Sequence, residues 1–151
     1  MSRIIRRART GDLAALVPLV EQYLGFYNVK HPRATVSRFI SQKLRAKPVL
    51  VWVGSRARGT ALDGFVQVYP TFSTLRLGPA WILNDLFVAK TARGTGMGRA
   101  LLETVIAEAK RSGARTVELT TAVTNASARA LYQSIGFKTD PKYLVYSLPI
   151  K

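Results

Sequence analysis

The sequence has no cysteine and a single histidine, His31, among its 151 residues. Without cysteine there can be no disulfide framework, no thiol nucleophile and no thiolate metal site. One histidine is also too few for a histidine-based metal cluster, and it argues against a Ser-His-Asp triad. We therefore expect no metal site and no thiol chemistry.

Long apolar runs are absent as well. No hydrophobic run approaches the roughly 18 residues of a membrane span, and the first ten residues, MSRIIRRART, lack the apolar segment of a signal peptide. The sequence thus predicts a cytoplasmic protein with no membrane span. Hydrophobic residues make up 48% and charged residues 21% of the chain, a composition typical of a folded protein. At this length we expect one domain, residues 1–151.

Acidic residues are scarce: 8 Asp and Glu stand against 23 Lys and Arg, which gives a net charge of +15. Such a field attracts anions, including coenzyme A, nucleic acid and acidic proteins. A solvated basic surface without a dedicated partner explains the same charge. We favour that interpretation because the sequence contains no recognisable nucleic-acid-binding module.

One stretch, residues 81–105, organises the rest of the chain. It opens with the apolar residues of a buried strand, which ends at Val88. Three glycines follow at alternate positions, Gly94, Gly96 and Gly98, and a helix with one apolar face comes next. Glycines let a backbone approach a bulky partner, and unpaired N–H groups at a helix start favour an anion. The stretch predicts a pyrophosphate site, and the alternative is an ordinary flexible connection.

The spacing of the glycines narrows the choice. It fits neither a P-loop nor the G-x-G-x-x-G dinucleotide fingerprint. It does fit R-x-x-G-x-G, with Arg93, Gly96 and Gly98 directly after a strand. This pattern resembles the acyl-coenzyme A motif of the GNAT N-acyltransferase superfamily. Farther on, Asn125 to Phe137 resembles a second pattern of that superfamily, N-x-x-A-x-x-L-Y-x-x-x-G-F.

Periodicity and turn residues predict the order strand, two helices, three strands, helix, strand, helix, two strands. The last two strands form a hairpin, Phe137–Thr139 and Tyr143–Leu148. The resemblance implies an α/β chain with the GNAT-type acyl-CoA N-acyltransferase fold. This fold has a mixed, mostly antiparallel central sheet of about six to seven strands, flanked by about four helices.

The resemblance also implies acetyl-CoA as co-substrate. The residues expected to hold it are on the central strand, on the glycine turn and at the start of the last helix: Leu86, Phe87, Val88, Arg93, Gly94, Thr95, Gly96, Met97, Gly98, Arg99, Asn125, Ser127 and Arg129.

Two residues are the candidates for catalysis. Asp85 is the only acid between Asp63 and Glu103, and the resemblance places the general base near this strand. Direct base work, a water relay and substrate binding all stay open for Asp85. The resemblance places Tyr132 near the sulfur, where a phenol can protonate a departing thiolate. Relatives that acetylate polyamines often have Glu immediately before this Asp, whereas this chain has Asn84.

The acceptor is the least defined part. Asn84, Tyr27, Tyr69 and Phe72 are the candidates to bind it, and Tyr23, Phe26 and His31 also belong to the segments that shape the acceptor pocket in this superfamily. The expected activity is acetyl transfer from acetyl-CoA to a primary amine by direct attack. Because a basic chain repels a polycation, we expect a small amine with an anionic group, such as an amino acid, or a protein N-terminus. A basic module that binds nucleic acid or an acidic protein, and holds acyl-CoA without turnover, is the alternative; a homodimer is also open.

Overall fold

The computed structural model describes residues 2–59 and 61–151. They form five strands, β1 (Ile4–Arg7), β2 (Leu50–Ser55), β3 (Gly64–Ser73), β4 (Gly78–Val88) and β5 (Thr116–Glu118). The four α-helices are α1 (Leu13–Phe26), α2 (Arg33–Arg45), α3 (Met97–Arg111) and α4 (Ala126–Ile135). Among the described residues, no helix is long and apolar enough to cross a membrane.

The sheet has the order β1-β2-β3-β4-β5. Its first four strands pair antiparallel, and β5 joins β4 in parallel. The predicted α/β fold class, with a mixed and mostly antiparallel sheet and four helices, is confirmed. The sheet has five strands rather than six or seven.

The two missing strands are those of the predicted C-terminal hairpin. Neither 137–139 nor 143–148 is a strand in the described part of the chain, so this prediction is wrong. The segment has strand-forming residues, yet side chains such as Tyr146 and Leu148 are 87% and 82% exposed. Composition favours a strand only where the backbone finds a pairing edge, and this segment has none.

Contacts divide the chain into two compact units, the first ending at Leu119 and the second covering Thr120–Lys151. The first unit contains the whole sheet and α1 to α3. The second contains α4 and the C-terminal segment. A single domain over residues 1–151 stays a prediction.

Both faces of the sheet are covered within the first unit. The helices α1 and α2 bury Leu16, Leu19 and Ile40 in one core with Phe65 and Phe87 of the sheet. The helix α3 covers the other face, to which Gly64, the neighbour of Phe65 in β3, points. It lies so close that a Cβ on Gly64 would be 3.0 Å from the Leu101 side chain.

Asp12 lies directly before α1, but its side chain makes no capping bond to that helix. Its carboxylate instead accepts the Arg9 backbone N–H at 2.7 Å and two bonds from the Arg6 guanidinium at 2.7 and 2.8 Å. This forked pair closes the connection from β1 into α1.

Replacing Arg6 by Gln should therefore lower the free energy of unfolding by about 1 kcal/mol at pH 7. The hydrogen bond from Arg6 is the main cause that lowers the pKa of Asp12 in the folded protein. A depressed carboxyl pKa gives stability above the unfolded pKa, and this stability is lost as the pH falls through the folded value. In urea unfolding, the difference in the free energy of unfolding between the wild type and Arg6→Gln should be smaller at pH 3 than at pH 7. The control is Arg38→Gln, which alters an exposed arginine of α2. An equal difference at both pH values would contradict the stabilising role of the Arg6–Asp12 pair.

Candidate active site

An irregularity in β4 sets the geometry of the site. Gln67 of β3 pairs with Asp85, whereas the next residue, Val68, pairs with Leu83, so that Asn84 is an extra residue in β4. Such a bulge re-aims neighbouring side chains and is common beside active sites. Asp85 and its partner Gln67 share the face of Phe65 and Phe87, which is covered by α1.

The Asp85 carboxylate is the centre of a hydrogen-bond network. The Tyr23 hydroxyl donates to Oδ1 at 2.8 Å. Gln67 Nε2 and Asn84 Nδ2 donate to Oδ2 at 2.8 and 2.9 Å. An ionised carboxylate offers about four acceptor positions, so three donors hold it in place and leave room for a further N–H. Asp85 can therefore bind an amine.

Tyr69 extends this network along β3. Its hydroxyl oxygen accepts a second hydrogen bond from Gln67 Nε2, at 2.8 Å. Burial raises the pKa of the Tyr69 phenol, and the Asp85 carboxylate raises it further, against a smaller opposite effect of the bond from Gln67. Tyr69 therefore stays a neutral phenol with a proton to donate.

Aromatic rings surround the carboxylate on the α1 side. The Tyr23 ring contacts those of Phe65, Phe87 and Tyr27 edge-on, at centroid distances of 5.9, 5.8 and 5.3 Å. Of the other predicted acceptor residues, Phe72 is 83% exposed. It lies five residues beyond Gln67 in β3, about 16 Å along a strand, and is therefore not brought to the carboxylate. His31 is exposed in the connection between α1 and α2.

The glycine turn lies between β4 and α3. Gly94 and Gly96 have φ angles of +74° and +80°, values that favour glycine. In the described part of the chain, no N–H from Gly94 to Gly98 has a well-aligned backbone acceptor. A Cβ on Gly94 would meet nothing within 4 Å. The turn therefore places these backbone amides at a helix start, with open space beside Gly94, which is a favourable arrangement for binding an anion.

Three charged residues that sequence reasoning missed support this turn. Arg3 Nε donates to the carbonyl oxygen of Thr95 at 2.7 Å, and its guanidinium fills the space beside Gly96. Arg56 pairs with Asp63 at 3.0 Å and reaches the Thr91 carbonyl oxygen at 3.2 Å. The contacts with Thr91 and Thr95 join residues far apart in sequence, and no local spacing predicts them.

The side chains of the motif serve different purposes. Arg93 Nε donates to the Val88 carbonyl oxygen at 3.3 Å, and its guanidinium lies 5.6 and 5.7 Å from the Phe87 and Phe26 ring centroids. It thereby ties the turn to the end of α1. The Met97 side chain is buried in the core, where it packs against Gly54 of β2. The Arg99 guanidinium lies 3.5 Å from Glu103.

The predicted site residues of the second unit lie in or next to α4, and their recorded contacts are with neighbouring residues in the sequence. Asn125 Oδ1 accepts the Ala128 N–H at 3.3 Å and caps the helix. Arg129 Nη1 donates to the Val123 carbonyl oxygen at 2.9 Å. The ring of Tyr132 packs at 5.9 Å on that of Phe137. The helix ends at Gly136, which has a φ angle of +112°.

The mixed sheet, the glycine turn ahead of α3 and the bulged strand beside it define an α/β protein with a candidate ligand site between β4 and α3. Comparison with known proteins then gives the family. The model of the acetyltransferase (GNAT) family matches residues 16–137. The chain belongs to the GNAT acetyltransferase family, as the resemblance of the two motifs predicted.

Individual relatives agree with this assignment. An uncharacterized N-acetyltransferase of Bacillus subtilis is 35% identical, with 97% of each chain covered. A D-amino-acid N-acetyltransferase of Saccharomyces cerevisiae is 28% identical over 91% of this chain and 86% of its own. The crystal structure of a probable acetyltransferase has a TM-score of 0.91 and 34% identity, and covers 98% of both chains.

Proposed function

We propose that the protein transfers an acetyl group from acetyl-CoA to the primary amine of a small, amino-acid-like molecule or of a protein N-terminus. The observation that carries this proposal is the Asp85 carboxylate, fixed by Tyr23, Gln67 and Asn84 on the face that α1 covers. In a GNAT acetyltransferase, such a carboxylate can hold the acceptor amine and take up its proton.

The glycine turn fits the coenzyme. Its backbone amides, for which the described residues supply no well-aligned backbone acceptor, and the helix start suit a pyrophosphate, at about 1.5–3 kcal/mol for each charge-assisted bond. A side chain on Gly94 would occupy the open space beside those amides. We assign the pyrophosphate to residues 94–99 and the pantetheine arm to the backbone of residues 86–88. When bound, acetyl-CoA supplies an activated acetyl thioester.

Asp85 is the residue that prepares the amine. An alkylamine with a pKa near 10.4 is mostly protonated at pH 7, and each pH unit of that gap costs about 1.36 kcal/mol. The carboxylate can accept the proton directly or through a water molecule. Its three donors keep it oriented towards the acceptor in either case. Tyr132 is assigned the opposite role, donation of its hydroxyl proton to the departing sulfur.

The acceptor class follows from charge and from similarity. A chain with a net charge of +15 repels a polyamine and attracts an amine that also has an anionic group. The similarity to a D-amino-acid N-acetyltransferase supports the same class. Relatives that acetylate polyamines often have Glu at the position of Asn84, so this chain lacks the second carboxylate that would favour a polyamine. Nucleic acid or an acidic protein as partner stays a prediction that we do not favour over this one, and a homodimer stays open.

Release of free thiol from acetyl-CoA tests the activity. The chain contains no cysteine, so the protein adds no background to a thiol reagent. We expect turnover with amino acids or short peptides and little with spermidine. Turnover with spermidine alone would overturn the acceptor class. If none of the amines tested causes release of thiol, the proposed function is overturned.

A further inference from the structure

The direction of the hydrogen bonds through Gln67 can be deduced from chemistry. The Gln67 side chain is buried, and its Nε2 lies 2.8 Å both from Asp85 Oδ2 and from the Tyr69 hydroxyl oxygen. An ionised carboxylate only accepts hydrogen bonds. The amide must therefore turn its NH2 group to Asp85, and each of the two N–H bonds then serves one oxygen.

The proton of Tyr69 is fixed as a consequence. Its oxygen accepts from Gln67, so its own O–H bond must point away from Gln67. Within residues 2–59 and 61–151, no hydrogen bond donated by the Tyr69 hydroxyl is found. A half-buried neutral donor without an acceptor is unfavourable unless water or a ligand accepts the bond.

The distances define what could bridge the two oxygens. Asp85 Oδ2 and the Tyr69 hydroxyl oxygen are each 2.8 Å from one nitrogen, so at most twice that distance separates them. In an α-amino-carbonyl unit, two carbons separate the amine nitrogen from the carbonyl or carboxylate oxygen, and the two atoms lie about 3 Å apart. Gln67 and Asn84 already donate to Oδ2, so the open acceptor position is on Oδ1, the other oxygen of the same carboxylate. An amine bound there still brings such an oxygen within reach of the Tyr69 O–H, because the unit with one hydrogen bond at each end spans about 8 Å.

We propose that Tyr69 selects acceptors with an oxygen next to the amine, and that Gln67 positions it for this task. The Tyr69 hydroxyl donates to the carbonyl or carboxylate oxygen of an α-amino-carbonyl unit while Asp85 holds the amine. Free amino acids and peptide N-termini both contain this unit. The proposal rests on the proposed function, and it explains the choice among amines rather than acetyl transfer itself.

The test compares three related acceptors: an α-amino acid, its amide and the amine left by its decarboxylation. The wild-type protein should prefer the first or the second over the third, and the better of the two identifies the source of the oxygen. In Tyr69→Phe, the kcat/KM ratio of the preferred acceptor to the decarboxylated amine should fall at least tenfold. The control is Tyr146→Phe, which alters an exposed tyrosine and should leave the ratio as it is.

Gln67→Leu gives an independent check, because it keeps the phenol and removes the group that orients it. The same ratio should fall in the same direction but by less, and a merely structural role would lower both kcat/KM values together. An unchanged ratio in both variants would overturn the proposal. So would a wild-type protein that acetylates the decarboxylated amine as well as the amino acid, and that result would leave the proposed function standing.

Discussion

Replacing Asp85 by Asn should lower kcat/KM for acetyl transfer by about 10²- to 10⁴-fold, the usual contribution of a general acid or base. The variant loses both the negative charge that binds an ammonium and the group that takes up its proton. It also disturbs the network, because an amide NH2 in place of Oδ2 would face the donors of Gln67 and Asn84. Steady-state kinetics with the best acceptor measures the loss.

A matched control separates this effect from a change of net charge. Asp140 is an exposed acid of the second unit, and Asp140→Asn makes the same change of charge far from the Asp85 network in sequence. It should retain the wild-type rate. Acetyl-CoA binding by Asp85→Asn should show whether the fold has survived. A rate within threefold of the wild type, with binding intact, would contradict the role of Asp85.

The second large effect is expected at Gly96. A Cβ on Gly96 would be 2.7 Å from the Arg3 guanidinium, and the backbone has a φ angle of +80°. Gly96→Ala must therefore displace Arg3 and its bond to Thr95, or distort the turn that presents the amides. We expect the Kd for acetyl-CoA to rise at least tenfold, since two or more charge-assisted hydrogen bonds would be weakened. Isothermal titration measures it directly.

Gly113→Ala controls for backbone strain. Gly113 has nearly the same φ angle, +81°, and a Cβ there would meet nothing within 4 Å. Both variants should lose about 1 kcal/mol of stability through the left-handed conformation, but Gly113→Ala should bind acetyl-CoA as the wild type does. Equal affinities of the two variants would show that the turn does not hold the coenzyme.

Local sequence patterns were sufficient to predict most of the fold. The helix α4 shows why, because its cap Asn125, its apolar face and its closing Gly136 are all within one segment. The C-terminal hairpin could not be predicted in the same way. A strand depends on a partner edge that local composition does not specify, and 143–148 has the composition without the pairing.

The residues of the candidate site also fall into two groups, those that local sequence patterns predict and those whose role depends on contacts between distant segments. Asp85, Asn84 and the glycine turn could be predicted because the motifs and the scarcity of acids point to them. Gln67 and Arg3 could not, since their importance comes from register and from contacts across the sheet. Gln67 faces Asp85 only because Asn84 is an extra residue in β4. Such a bulge cannot be recognised from the alternation of apolar and polar residues in a single sequence.

A thermal melt with three ligands tests the central claim that the glycine turn holds the coenzyme pyrophosphate. At a hundred times its Kd, acetyl-CoA should add about 2.7 kcal/mol of stability, a shift of several degrees for a chain of this size. Dephospho-acetyl-CoA, which retains the pyrophosphate, should also shift the melt, whereas S-acetylpantetheine at the same concentration should not. No shift with acetyl-CoA, from protein shown to contain no bound coenzyme, would contradict the account.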